Sequence, residues 1–62
     1  MDEVERFKSS ARNIISLRTD GSSWEVVNFT EEGETVWTET SVNGDHPFTE
    51  DEARAEFERW RV

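Results

Sequence analysis

Two glycine-bearing turn signals set the tightest limit on what this chain can fold into. Asp20-Gly21 and Thr30-Glu31-Glu32-Gly33 bracket residues 24–29, rich in Val and aromatics, and a similar run follows at 35–40. Such residues favour a pleated, half-buried surface, and Asp-Gly is among the strongest short hairpin signals. Residues 13–19 lie just upstream of the first turn. The three segments predict a three-stranded antiparallel β-meander over 13–42. A two-residue turn at Asp20-Gly21 sets Leu17 opposite Trp24 and Ile15 opposite Val26. A three-residue loop ending in Gly33 sets Val27 opposite Trp37 and Phe29 opposite Thr35.

The C-terminal stretch carries its own local instructions. Thr49 followed by Glu50, Asp51 and Glu52 reads as a capping box, and Phe48 can close over Ala53 as a hydrophobic staple. Acids fill the first turn, and Arg59 and Arg61 fill the last, which suits the helix dipole. Ala53, Phe57 and Trp60 fall on one stripe. These features predict a helix over about 50–61.

Alternation along the strands yields two apolar faces. One collects Ile15, Leu17, Trp24, Val26 and Val36, and the other Ile14, Val27, Phe29 and Trp37. A single helix covers one of them. The other needs residues 1–12, a second protomer or another protein. Val4, Phe7 and Ala11 at i, i+3 and i+7 make a short N-terminal helix one candidate cover. Their spacing continues to Ile14, so a helix running on through Leu17 stays open as an alternative; Asp20-Gly21 and the run 13–15 favour a strand. The expected class is α+β: a meander with a C-terminal helix packed on one face, with or without the short N-terminal helix. The domain expectation is one small unit over 1–62, divided into segment 1–12, meander 13–42 and helix 49–61.

Size makes the uncovered face matter. The 62 residues hold only 16 large apolar side chains, three of them Trp, and so short a chain buries about 60% of its unfolded surface. A marginal core of this kind gains from a partner or a second copy.

Charge is lopsided. Residues 1–24 are neutral overall, and the full net charge of −8 falls on residues 25–62, with no Lys or Arg between Arg18 and Arg54. Such a field repels phosphate and anionic lipid and attracts cations. Direct nucleic-acid binding is therefore not expected, although Trp24, Phe29 and Trp37 on a sheet could stack bases. Two plainer accounts compete: a solvated face that keeps the protein soluble, and salt adaptation of a halophile, suggested by one Lys against six Arg.

Groups that carry chemistry are sparse. There is no Cys, and His46 is the only His. It could pair with Asp45 or Glu50, yet it has no second ligand of its kind for a tight metal site. The serines lack any activating motif, and paired acids such as Glu31 and Glu32 lack a cleft. No catalytic activity, metal or cofactor is expected. With no apolar span and no leader-like opening, the expectation is a cytoplasmic protein without membrane contact.

Two functions remain. The first is a non-catalytic protein–protein interaction module, self-associating as a homodimer through Ile14, Val27, Phe29 and Trp37. The alternative is an acidic inhibitor or regulator that imitates DNA. It would bind the basic surface of a nucleic-acid-binding protein through Glu31, Glu32, Glu34, Glu39, Glu50, Asp51 and Glu52.

Overall fold

The computed structural model describes residues 1–61. In chain order it contains β1 (Asp2–Lys8), β2 (Ile14–Thr19), β3 (Trp24–Thr30), β4 (Gly33–Trp37), β5 (Glu39–Thr40), β6 (His46–Pro47) and α1 (Glu50–Arg59). Strands β1 to β4 make one antiparallel sheet in sequence order, while β5 and β6 pair separately. The α+β class stands, with four strands in the sheet rather than three.

The helix forms as its local signals dictate. Glu52 donates its amide to Thr49 Oγ1 at 3.3 Å, and the Thr49 amide donates to Glu52 Oε1 at 2.9 Å. This reciprocal cap satisfies two donors that the first helical turn leaves free. Helix α1 lies across β2 and β3. Its buried side chains, Ala53 and Phe57, join Ile15, Leu17, Val26 and Phe48 in one core cluster. Phe57 is 1% exposed, and full burial of such a side chain is worth about 1.5–3 kcal/mol.

The opening segment is a strand, not a short helix. Phe7 sits opposite Ile15 and meets the Phe57 ring edge-on, with centroids 4.9 Å apart. Val4, which the helical spacing aligned with Phe7, falls in a β-bulge between Glu3 and Glu5 and is 44% exposed. Ala11 lies in the connection beyond β1. Pairing with β2 satisfies the backbone along a segment that has little apolar surface with which to anchor a helix.

Both hairpin registers differ from the expected ones, with unequal consequences. Between β2 and β3 the turn is four residues long, so Leu17 pairs with Val26 and Thr19 with Trp24. Asp20 Oδ1 accepts the amides of Ser22 at 2.9 Å and Ser23 at 2.8 Å, which holds the wider turn. The slip is two residues, so every side chain keeps its face. Between β3 and β4 only Glu31 and Glu32 form the loop, and Thr30 pairs with Gly33. Gly33 supports this turn at φ 137°, a conformation that costs glycine least. Thr30 Oγ1 donates to the Gly33 carbonyl at 3.1 Å. This slip is one residue, and it exchanges the faces of β4. Trp37 pairs with Val26 on the helix side, and Val36 pairs with Val27 on the other. The exchange puts the largest side chain of β4 under α1, where Trp37 lies 5.1 Å from Trp60. An indole gains far more from that shelter than a valine.

Candidate interaction surfaces

The sheet face turned away from α1 has no covering element among the described residues, and we call it the open face. Cross-strand pairing sets it out in rows. Lys8, Ile14, Phe29 and Glu34 form the first row. Arg6, Ser16, Val27 and Val36 form the second, and Glu3, Arg18 and Glu25 the third. Of the four residues expected to anchor a partner, Ile14, Val27 and Phe29 meet here. Trp37 does not; Val36 stands in its place and is 43% exposed.

A layer of polar side chains shelters the middle of this face. Ser16 and Val27 are fully inaccessible. Glu3 Oε1 accepts from Ser16 Oγ at 2.7 Å and from Arg6 Nε at 2.7 Å. Those bonds hold the Glu3 carboxyl below its ordinary value, Arg6 first and Ser16 second. The Arg18 guanidinium lies 5.2 Å over the Phe29 ring and 4.0 Å from Glu25. Half-buried Ile14 and Phe29 and exposed Val36 remain as the apolar strip, and a depression of about 640 Å³ beside Ile14 and Phe29 ends at Glu31 and Glu32.

The acidic residues expected to act together fall into separate places. Glu31 and Glu32 make the β3–β4 turn, and Glu34 belongs to the open face opposite Phe29. Glu50 pairs with Arg54 at 2.9 Å. Glu39, Asp51 and Glu52 come together with Glu56 around a groove of about 400 Å³ between α1 and the β5–β6 ladder. Phe48 and Ala55 contribute to its wall, and so does Val42, which is 61% exposed. Among the described residues Arg59 is the one cation lining this groove, and it pairs with Glu56 at 2.8 Å.

His46 is tied to the helix cap. Its Nε2 lies 2.7 Å and 2.9 Å from the two oxygens of Glu52. The Glu52 carboxyl is held below its ordinary value chiefly by the Thr49 backbone amide, with His46 adding to the effect. Among the described residues no three His, Asp or Glu side chains are grouped to hold a metal ion, and no helix is long and apolar enough to cross a membrane.

Several contributors escaped the sequence analysis. Arg6 and Lys8 join the open face because the opening segment is a strand, and Val36 joins it only through the β3–β4 register; Arg18 was readable from its alternation with Ile14 along one strand. Glu56 was readable as the i+4 neighbour of Glu52 on one helix side. Comparison with known protein families, curated proteins and solved structures returns no match.

Proposed function

We propose that this chain is a small acidic protein–protein interaction module without catalytic activity, acting in the cytoplasm, whose working surface is the open face of its sheet. One observation carries this reading: the open face keeps an apolar strip of half-buried Ile14 and Phe29 and exposed Val36, with no element over it among the described residues. Exposed strips bordered by charged side chains are the usual form of docking surfaces. The one histidine also suits the reading, since His46 bonds to Glu52 at the helix cap. The immobilised protein is expected to retain protein, either another chain or more of itself. Val36→Glu should lose that retention while its circular dichroism stays unchanged. Full retention by the variant would remove the open face from the function.

A second reading rests on the groove beside α1. Carboxylates of Glu39 and Asp51 next to Phe48 and Val42 suit a segment that carries Lys or Arg beside an apolar residue. Its partner is a basic protein surface, such as one that otherwise holds nucleic acid. Glu39→Lys with Asp51→Lys should abolish binding to such a surface and remove its salt dependence. Binding with unchanged salt dependence would reject this reading.

A further inference from the structure

The open face differs from the rest of the molecule in its charge. It carries Arg6, Lys8 and Arg18 against Glu3, Glu25 and Glu34, which cancel, so the net charge of −8 lies wholly on other surfaces. The cancelling charges are also sorted. All three cations stand on β1 and β2, with Glu3 among them, and β3 and β4 carry only the acids Glu25 and Glu34. A basic half beside an acidic half is what a surface needs to complement its own copy, because a two-fold interface sets the same patch against itself.

We infer that the partner of the open face is a second copy of this chain, packed face to face about a two-fold axis that runs along the strands between β2 and β3. The inference rests on the open face being the working surface. That rotation lays β1 over β4 of the other copy and β2 over its β3, while each row stays over the same row. Lys8 then stands over Glu34 of the second copy, Arg18 over its Glu25 and Ile14 over its Phe29. Val36 lies along the stem of Arg6, and Val27 over Ser16. Aligned sheet packing of this kind keeps strand directions within about 30°. A two-fold axis across the strands does worse. It places Arg6 on its own copy, Ile14 against Arg18 and Phe29 against Glu25. For a chain of net charge −8, this neutral face is also where two copies repel each other least.

Size sets the strength. Four strands about 4.8 Å apart and three rows give roughly 300–400 Å² in plan, below the ~800 Å² per partner of a standard stable complex. The dimer is therefore reversible and concentration-dependent. It turns both helices outward and presents the two acidic grooves on opposite sides, which makes the dimer bivalent toward cationic partners.

Sedimentation equilibrium on the full chain, from about 10 µM to about 1 mM, tests this. The wild-type protein is expected to pass from monomer to dimer. Lys8→Glu and Glu34→Lys should each weaken the dimer about tenfold or more, because each reversal sets like charges together at two symmetric contacts. The double variant should restore association. Within one copy Lys8 and Glu34 lie on opposite edge strands, so rescue must come from contact between copies. Circular dichroism confirms that each variant is folded. A dimer indifferent to the single reversals, or one the double variant fails to rescue, overturns this arrangement. A wild-type chain that stays monomeric while Val36→Glu still abolishes protein capture also overturns it, yet leaves the open face as the working surface. Loss of neither association nor capture removes both.

Discussion

The two faces of this sheet bury their central residues by opposite means. Under α1, Ile15, Leu17 and Val26 meet Phe48, Ala53 and Phe57 in an apolar layer. On the open face Val27 and Ser16 are just as inaccessible, yet the layer around them is charged: Glu3 bonds to Ser16 and Arg6, and Arg18 lies over Phe29. Long charged side chains can lay their stems on apolar surface and keep their heads in water. A strand residue can therefore be buried without a second apolar layer. The helix side holds the fold together; on the proposed function, the polar layer of the open side is what a partner would lift clear.

That contrast gives the largest expected effect. Phe57→Ala should cost about 3–5 kcal/mol, much of the roughly 3–9 kcal/mol available to a chain of this length. Arg6→Ala, which opens the polar layer, should cost under about 1 kcal/mol, since an exposed ion pair contributes little. Urea denaturation of the two variants measures both. Equal losses would mean that the open face is as much a core as the helix side.

Neighbouring residues on β4 sharpen the point. Trp37→Ala should destabilise by about 3 kcal/mol, the low end for such truncations because the indole stays partly accessible. Val36→Ala should stay within about 0.5 kcal/mol, as exposed substitutions do. The three-residue loop read from the sequence would make Val36 the costly residue and Trp37 the cheap one. Thermal unfolding of the two variants separates the registers.

The same pair shows what the sequence could and could not reveal. Helix α1 was readable because Thr49, Glu52, Phe48 and the Ala53–Phe57 spacing act within one or two turns of chain. The register at Gly33 was not, because a glycine at positive φ serves the end of either loop length. Only the pull of Trp37 toward Trp60, far along the chain, decides between them. The slip at Asp20 went the same way but did no harm, since two residues preserve the faces. β1 was misread for a different reason. Its interior apolar residues are only Val4 and Phe7, too few to tell a period of two from one of 3.6. The site followed the register: Ile14, Val27 and Phe29 were placed together correctly, and Trp37 left them with the flip of β4. The acidic set was legible as a composition but not as a place, because β5 and β6 bring Glu39 to the helix by pairing across a turn.

A smaller effect probes the helix side from within. Asn28 pairs with Ile15 on that face, is 9% exposed and has no partner for its Oδ1. A buried acceptor without a donor costs about 1–3 kcal/mol. Asn28→Val should therefore raise stability by about 1 kcal/mol, visible as a higher urea midpoint. A lower midpoint would show that the amide is satisfied after all.

The smallest effect separates the two faces by pH and salt. Glu3 on the open face, Glu52 at the helix cap and Asp20 in the β2–β3 turn all have carboxyl pKa values lowered from ordinary values of 4.5, 4.5 and 3.8. A carboxylate lowered on folding adds stability above its unfolded value and loses it as pH falls through its folded value. Stability should thus hold from neutrality down to about pH 4.5 and decline below it. Glu3→Gln and Glu52→Gln should each reduce that acid-side decline in a series of melts. Salt then distinguishes them. Hydrogen bonds come first at both, from the Arg6 guanidinium at Glu3 and from the Thr49 amide at Glu52, but the Glu3 donor is an exposed cation whose charge salt screens, whereas the Thr49 amide is neutral. High salt should therefore reduce the Glu3 contribution more than the Glu52 contribution. An acid-side slope that salt leaves untouched would mean the open face is held by short-range bonds, as the helix cap is, and the two faces would no longer differ in kind.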